Sequence, residues 1–260
     1  MSNANPSYDP IANEYAEFVN DYHDLTKVGG IATQRLLAAV ERFLGGLNEQ
    51  IILDLGCGEG HLARRLATYC DQVIGVDISG RLLDIALTRT QSENVMYLLD
   101  DAQVLGKLSD DSVDTVVSNL ALMDIPDLGT TMRAVRRVLK PHGFFIFSLT
   151  HPCFQSPHTK ILHDESGIAV GRKIVQYAKE GFWRSDNPNG IRGRVGAYHR
   201  TLSTYLNTLL STGFSLRYIE EPTLQDANDE LVHHQVQREL PSVMVMVAQL
   251  LLYPTLPNVP

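Results

Sequence analysis

The sequence contains few residues of the types that build disulfide-rich or zinc-binding proteins. Its 260 residues include only three cysteines, Cys57, Cys70 and Cys153. These cysteines form no CxxC pair and have no neighbouring His/Cys cluster, so the patterns of a structural zinc site and of a disulfide framework are missing. We therefore expect reduced thiols and no bound metal.

Long apolar runs are also missing. A membrane-spanning helix needs about 18–20 apolar residues, and the best candidate, residues 243–253, is interrupted by Gln249. A secretory signal begins with a basic segment followed by an apolar one. Residues 1–10 do not contain this pattern. We therefore expect a cytoplasmic protein without membrane insertion.

The sequence has no excess of positive charge. Its 22 Lys and Arg against 30 Asp and Glu give a net charge of −8 with histidine neutral, which argues against extended binding to nucleic acid or to an anionic membrane. A content of 44% hydrophobic and 20% charged residues is typical of a globular protein with one large domain, or with one domain and a cap. The expected partner is a small molecule, and the expected state is a monomer or a homodimer.

From residue 50 onward, short apolar runs alternate with amphipathic stretches. The runs typical of strands are residues 51–53, 72–76, 95–99, 115–118, 144–149, 214–219 and 243–251. Most segments between them carry apolar residues at helical spacing, and Met132 and Val135 are one such pair. Alternating strands and helices predict an α/β fold with a mostly parallel sheet and helices on both faces.

Two segments lie outside this alternation. Residues 1–46 have apolar residues at helical spacing and are predicted to form an amino-terminal helical cap. In residues 152–197 the periodicity fades and glycines recur; residues 152–200 carry a net charge of +4, whereas the remainder carries −12. We predict that 152–197 is an insertion that forms a lid, and that residues 47–151 and 198–253 form the core.

Glycines follow the first predicted strand, at Gly56, Gly58 and Gly60. Glycine at a turn from strand to helix lets the backbone approach a ligand that a Cβ atom would exclude. The third glycine falls one residue too early for the GxGxxG pattern of dinucleotide-binding folds. Asp77 ends the second strand, 21 residues after Gly56, where a carboxylate can accept hydrogen bonds from ribose hydroxyls. Because NAD-binding proteins share this spacing, a nicotinamide cofactor stays an alternative.

Polar residues also follow the next three strands. They are Asp100, Asp101, Asn119, Thr150 and His151. Since the carboxyl ends of parallel strands meet at one edge of a sheet, this edge is the predicted ligand site.

Five sequence blocks occur in the order found in class I S-adenosylmethionine-dependent methyltransferases. They are LDLGCGEG (53–60), GVDIS (75–79), DDA (100–102), VDTVVSNLAL (113–122) and RVLKPHGFF (137–145). On these blocks, which cover roughly residues 50–150, the sequence resembles that family and within it the small-molecule branch of ubiquinone/menaquinone-type (methyltransferase type 11) enzymes. The stretch 198–222 resembles the closing helix and strand of the family. Two positions depart from the pattern, since Asp100 doubles the acidic residue and His142 replaces a usual glycine.

The resemblance implies a fold, a cofactor and a reaction. The fold is a Rossmann-like, seven-stranded, mostly parallel sheet of order 3-2-1-4-5-7-6, with the last strand antiparallel. The cofactor is S-adenosylmethionine, and the reaction is methyl transfer to an O, N or C atom of a small metabolite. An NAD-linked oxidoreductase of related fold, or a cofactor-binding subunit without its own turnover, are the alternatives.

The resemblance also implies which residues bind the cofactor. Those for the methionine and ribose parts are Asp54, Gly56, Cys57, Gly58, Asp77 and Asn119. Those for the adenine are Ile78, Leu82, Ala102 and Asp101, with Asp100 as an alternative to Asp101. Tyr8 and Tyr15 lie in the predicted amino-terminal helix, which closes over the cofactor in such enzymes.

Candidates for the methyl-acceptor side are less distinct. His151 and His199 flank the insertion and are predicted general bases, because an imidazole can take a proton near neutral pH; the alternative is that each is a hydrogen-bonded loop residue. The aromatic residues of the insertion form either a pocket wall or an anchor. The predicted acceptor pocket consists of Tyr22, Met123, His151, Phe154, Trp183, Tyr198 and His199.

Overall fold

The computed structural model describes residues 7–20, 28–46, 49–157, 159–223 and 239–251. The strands are β1 (Ile51–Leu55), β2 (Gln72–Asp77), β3 (Val95–Leu99), β4 (Val113–Asn119), β5 (Leu139–Thr150), β6 (Lys160–His163), β7 (Ala169–Lys173), β8 (Gly181–Trp183), β9 (Ala197–His199), β10 (Phe214–Glu220) and β11 (Val243–Leu250). The α-helices are α1 (Ala12–Asn20), α2 (Val28–Leu44), α3 (His61–Leu66), α4 (Gly80–Arg89), α5 (Leu128–Val138), α6 (Ile191–Arg194) and α7 (Leu202–Ser211). Two 3-10 helices span Asp9–Ile11 and Leu122–Asp124.

Seven strands form one sheet in the order β3-β2-β1-β4-β5-β11-β10. The first five strands run parallel to one another, and β11 is antiparallel to both β5 and β10. This topology confirms the predicted order and the predicted Rossmann-like fold. The carboxyl ends of β1 to β5 therefore lie along one edge.

Each face of the sheet has its own apolar core because side chains alternate along a strand. In β5, Phe145 and Phe147 pack on the face covered by α5 and α7, whereas Ile146 packs on the face covered by α2 and α3. The helices therefore cover both faces, as the alternating sequence pattern predicts.

One strand begins earlier than the sequence pattern indicates. The apolar run predicts a strand from residue 144, but β5 starts at Leu139, directly after α5. Pro141 cannot continue the helix, and His142 has a positive φ of 66°. Leu139 instead pairs with Val113 ahead of a register shift in the β4–β5 ladder.

The predicted amino-terminal cap divides into two parts. The segment Asp9–Ile11 and α1 contact α4, near the ligand edge of the sheet. By contrast, α2 buries Leu36, Leu37 and Val40 against β4, β5 and β11. Helix α2 is therefore a layer of the core, and the domain boundary at residue 46 stays a prediction.

The insertion contains regular structure that its sequence does not indicate. Strands β6 and β7 form one antiparallel hairpin, and β8 and β9 form another. The short helix α6 lies between β8 and β9 in the chain. These strands are only three to five residues long, too short for a recognisable alternation of apolar and polar residues. Of the helices in the described ranges, none has the length and apolar character to cross a membrane.

Candidate functional site

The glycine turn between β1 and α3 brings bare backbone to the ligand edge. Gly56, Gly58 and Gly60 all have positive φ angles, of 73°, 54° and 81°. A Cβ atom on Gly56 would lie 2.5 Å from the Cβ atom of Ala121, so only glycine fits there. The amides of Gly56 and Cys57 donate to the carbonyl oxygen of Val76, at 2.8 and 3.0 Å. The turn is thus fixed to the end of β2.

A cleft opens at this edge of the sheet. Ten of the twelve residues predicted to bind cofactor line it: Tyr8, Tyr15, Gly56, Gly58, Asp77, Ile78, Leu82, Asp101, Ala102 and Asn119. The other two, Asp54 and Cys57, line a smaller adjoining cavity together with Tyr15, Gly56, Gly58 and Asn119. The twelve residues therefore line two spaces that share Tyr15, Gly56, Gly58 and Asn119.

The Asp77 carboxylate is held in place by backbone amides. Its Oδ2 accepts a hydrogen bond from the Gly58 amide and its Oδ1 accepts one from the Ser79 amide, each at 2.8 Å. Burial raises the pKa of Asp77 despite these two hydrogen bonds. Since each carboxylate oxygen can accept a second hydrogen bond, the group can still accept from two hydroxyls in the cleft.

Asp54 is a buried acceptor. Asp54 is only 1% exposed, and its Oδ2 has no hydrogen-bond partner among the described residues. Burial, with a further contribution from the charge of Asp77, raises the pKa of Asp54 to about 7. An unsatisfied buried carboxylate is costly, and a donor or cation entering the site would remove that cost.

The two adjacent acids Asp100 and Asp101 differ in orientation. Asp100 accepts hydrogen bonds from the amides of Asp101 and Lys107, both at 2.8 Å, and does not line the cleft. Asp101 lines it and is oriented by Gln103, whose amide donates to Asp101 Oδ1 at 2.8 Å. Of the two alternatives left open by the sequence, Asp101 is the one at the cleft.

Asn119 is held by contacts from two other elements. Its side-chain amide donates to Thr33 Oγ1 of α2 at 2.9 Å, and its Oδ1 accepts from Ser148 Oγ of β5 at 2.6 Å. The cleft wall at the end of β4 is therefore rigidly positioned.

Sequence reasoning missed three residues that hold the segment 122–126. Asp124 lines the cleft, accepts from Tyr8 Oη at 2.8 Å and forms an ion pair with Arg192 of α6. Burial raises the pKa of Asp124 even against the opposing charge of Arg192. Arg200, 7% exposed, donates to three carbonyl oxygens in this segment. These belong to Leu122, Ile125 and Pro126, at 3.1, 2.5 and 2.7 Å.

Only one of these three residues had a sequence signal. Asp124 stands five residues after Asn119, close to a recognised block. Arg192 and Arg200 lie 68 and 75 residues beyond their contacts at Asp124 and Ile125, and no periodicity connects positions that far apart.

A second cavity, of about 1290 Å³, adjoins the cleft. Tyr8, Tyr15 and Leu120 line both spaces. The remaining lining residues come from the amino-terminal segments, the end of β5 and the insertion: Ile11, Glu14, Phe18, Val28, Gly29, Thr150, Ser185, Asn187, Asn189, Gly190, Ile191, Arg192 and Arg194. A second molecule can therefore lie beside one that occupies the cleft.

The predicted acceptor pocket is only partly assembled. Met123, Trp183, Tyr198 and His199 line a third cavity of about 350 Å³, next to Arg192 and Arg200. Phe154 lines none of the cavities described here and instead lies against the His151 ring, with the ring centroids 4.6 Å apart. Tyr22 lies outside the described residues. The larger second cavity contains none of the described residues predicted for the acceptor.

Both candidate bases are engaged in hydrogen bonds. His151 is 1% exposed; its Nδ1 accepts from the amides of Cys153 and Phe154, so Nε2 donates to Glu221 Oε1 at 2.7 Å. Burial lowers the pKa of His151. His199 Nε2 donates to the carbonyl oxygen of Tyr177 at 2.7 Å. For His151 this geometry favours a loop-holding role, and catalysis by either histidine stays a prediction. Within the described ranges, no group of three or more His, Cys, Asp and Glu residues could hold a metal.

Comparison with known proteins identifies the same part of the chain. A family model described as a methyltransferase domain matches residues 53–147. An uncharacterized protein of Haemophilus influenzae is 30% identical over 193 residues, which cover 70% of this chain and 74% of that protein. A demethylmenaquinone methyltransferase of Leptospira interrogans is 31% identical over 147 residues, covering 54% of this chain and 57% of that enzyme.

A solved structure agrees over most of the chain. The crystal structure of an S-adenosylmethionine-dependent methyltransferase from Mesorhizobium loti is 29% identical, with a TM-score of 0.70, and the match covers 82% of this chain and 96% of that one. The cleft fits the cofactor of such enzymes, because Asp54 has an unpaired buried oxygen and Gly56 leaves no room for a Cβ atom. The chain belongs to the class I S-adenosylmethionine-dependent methyltransferases.

Proposed function

We propose that the protein transfers a methyl group from S-adenosylmethionine to an O, N or C atom of a small molecule. The observation that supports this reaction best is the pair of adjoining spaces that share Tyr8, Tyr15 and Leu120. One space has the carboxylates and bare glycine backbone that suit a nucleoside with a cationic side chain. The other opens next to it, as an acceptor site requires.

The cleft residues have separate roles in this proposal. Asp77 accepts from the two ribose hydroxyls, and Asp101 accepts from the adenine amino group. Asp54 takes the amino group of the methionine part, which gives its unpaired oxygen a donor. The cofactor supplies a methyl group already activated by a sulfonium charge. The protein therefore needs chiefly to align the reactants and exclude water.

The walled second cavity and the net charge of −8 both support a small-molecule acceptor over a nucleic acid. The cavity is bounded by side chains of α1 and α6, and small molecules bind in such concave sites. A cation-rich groove of the kind that follows a phosphate backbone would be expected for nucleic acid.

Calorimetric titration with S-adenosylhomocysteine tests the cofactor site. We expect binding by the wild-type protein and a loss of affinity of about 10- to 100-fold in Asp77→Ala, since two charge-assisted hydrogen bonds are lost. Asp84→Ala is the matched control, because Asp84 is an exposed carboxylate on α4, and its affinity should stay unchanged. Absence of binding to the wild type, or equal affinity in Asp77→Ala, would contradict the proposal.

Two further measurements separate the alternatives. Thermal stabilisation by NAD without any effect of S-adenosylmethionine would support an oxidoreductase instead. Incubation of a cell extract with deuteromethyl-labelled cofactor, followed by mass spectrometry, should show a species that gains a labelled methyl. Cofactor binding without any labelled product would support a binding subunit.

A further inference from the structure

The second cavity has two chemically different walls. One wall is apolar and is formed by Ile11, Phe18 and Val28. Another part of the lining comes from the insertion and carries Ser185, Asn187 and Asn189 together with two guanidinium groups, Arg192 and Arg194. An occupant that satisfies both walls has an apolar body and a polar group at one end.

The two arginines differ in how firmly they are held. Arg192 donates through Nη1 to Asp124 and to the carbonyl oxygen of Gly196, the latter at 3.1 Å, and its charge stays with the buried Asp124. Arg194 pairs only with Glu14 among the contacts of its side chain that the structure defines. It is therefore the arginine whose charge is available at the cavity.

Glu14 is a weakly held partner. Its side chain is 67% exposed, and both of its carboxylate oxygens face the guanidinium of Arg194. Exposed ion pairs contribute little to stability, because water screens the two charges. An incoming carboxylate can therefore replace Glu14 at Arg194 with little loss, whereas an incoming cation would meet Arg194 and be repelled.

We propose that the acceptor is a carboxylic acid with an apolar body, that Arg194 binds its carboxylate in the place of Glu14, and that the product is a methyl ester. This inference rests on the proposed methyl transfer. The described residues that line the cavity include neither histidine nor lysine. Arg194 lowers the pKa of Glu14, which makes Glu14 a poor general base. An acceptor that is already an anion requires no base.

The chemistry balances without a proton acceptor. A carboxylate oxygen forms the new bond to the methyl carbon while the bond from that carbon to sulfur breaks, and the electron pair of the broken bond stays on sulfur. The carboxylate loses its negative charge and the sulfonium its positive charge. The carboxylate and the sulfonium attract each other before the transfer. Because one carboxylate oxygen must stay free to react, Arg194 must hold only the other one.

A chemical property of the product tests this inference. Wild-type protein is incubated with methyl-tritiated S-adenosylmethionine and a panel of aliphatic and aromatic carboxylic acids, each with its primary amide and its alcohol as controls. We expect label in the acids only, and mild alkali should release it as volatile methanol, since esters hydrolyse whereas ethers and methylated amines do not. Label that resists alkali, or label in the amides or alcohols but not in the acids, overturns the inference.

Two variants with opposite expected effects sharpen the test. For the best acid of the panel, Arg194→Gln should raise KM by about tenfold or more, and Glu14→Gln should lower KM by up to about fivefold. Arg184→Gln is the control, because Arg184 is an exposed arginine of the insertion that does not line the cavity. An unchanged KM in Arg194→Gln overturns the inference.

The same variants distinguish this inference from the proposed function. S-adenosylhomocysteine should bind Arg194→Gln and the wild type with equal affinity, as measured by calorimetry. If the wild type does not bind it, the proposed methyl transfer itself fails. If binding is intact and the labelled methyl appears in a product stable to alkali, methyl transfer stands and the carboxylate acceptor is wrong.

Discussion

The cofactor cleft and the second cavity are built in different ways. The main walls of the cleft lie within residues 56–126 and are placed by the ends of four parallel strands. The second cavity joins α1 to α6, whose facing residues Glu14 and Arg194 are 180 positions apart. Sheet hydrogen bonds fix the cleft, whereas ion pairs between distant segments close the cavity. One scaffold can therefore keep its cofactor site while its acceptor site changes.

The two regions also differ in the sign of their charged side chains. The cleft concentrates Asp54, Asp77 and Asp124, and burial raises the pKa of each. The cavity carries Arg192 and Arg194 from an insertion of net positive charge. A cationic cofactor and an anionic acceptor would each meet the opposite charge. The segment 122–126, held by Arg192 and Arg200, lines the cleft, whereas Tyr8, Tyr15 and Leu120 line both regions.

The largest expected effect comes from filling the cleft itself. Gly56→Ala would place a Cβ atom 2.5 Å from that of Ala121, at a residue with a φ of 73°. We expect loss of S-adenosylhomocysteine affinity by about 100-fold or more, with destabilisation of about 1–3 kcal/mol. Calorimetry and chemical unfolding measure the two effects. Gly80→Ala is the control, since a Cβ atom there meets nothing within 4 Å. Equal affinity in Gly56→Ala would show that the turn does not touch the ligand.

A smaller effect is expected at the segment 122–126 of the cleft wall. Arg200→Met keeps the volume of the side chain but removes all three hydrogen bonds to the segment 122–126. Because this segment lines the cleft, we expect S-adenosylhomocysteine to bind about tenfold more weakly. Arg200→Lys should recover part of the affinity, since an ammonium group can donate to some of the same carbonyl oxygens. Reduced stability with unchanged affinity would limit Arg200 to packing.

The last expected effect is a pH dependence of stability, which belongs to Asp54 beside the cleft. The pKa of Asp54 is about 7 in the folded protein and lies near 3.9 in an unfolded chain. Between these pH values the folded protein therefore binds one more proton than the unfolded chain does. The contribution of this proton to the free energy of unfolding falls as the pH rises from about 4 to 7. The slope is at most about 1.4 kcal/mol per pH unit.

Chemical unfolding at pH 5 and at pH 7.5, without ligand, measures this slope. Asp54→Asn should show a smaller loss of stability across the interval than the wild type, and Asp84→Asn should behave as the wild type. An identical pH dependence in the wild type and Asp54→Asn would mean that Asp54 is ionised throughout.

The cofactor residues predicted from the sequence all line the cleft or its adjoining cavity, because they follow strands directly. Gly56, Asp77, Asp101 and Asn119 each lie at or just beyond the end of an apolar run, and parallel pairing brings such positions to one edge. The predicted acceptor residues did not assemble as a set. Contacts such as the ion pair of Arg194 with Glu14 depend on how two distant segments pack, and no local periodicity encodes that packing.

The sequence by itself predicted the sheet order and the family through its resemblance to known methyltransferases, and it put the candidate cofactor residues at strand ends, because short blocks at strand ends are local properties. The tertiary structure alone decided that α2 belongs to the core, that Asp101 rather than Asp100 faces the cleft, and that both ring nitrogens of His151 are hydrogen-bonded. It also brought Arg192 of the insertion and Arg200, which lies just after it, onto the segment 122–126. Each of these results depends on side chains far apart in the chain, whose contacts are set by close packing of the whole fold.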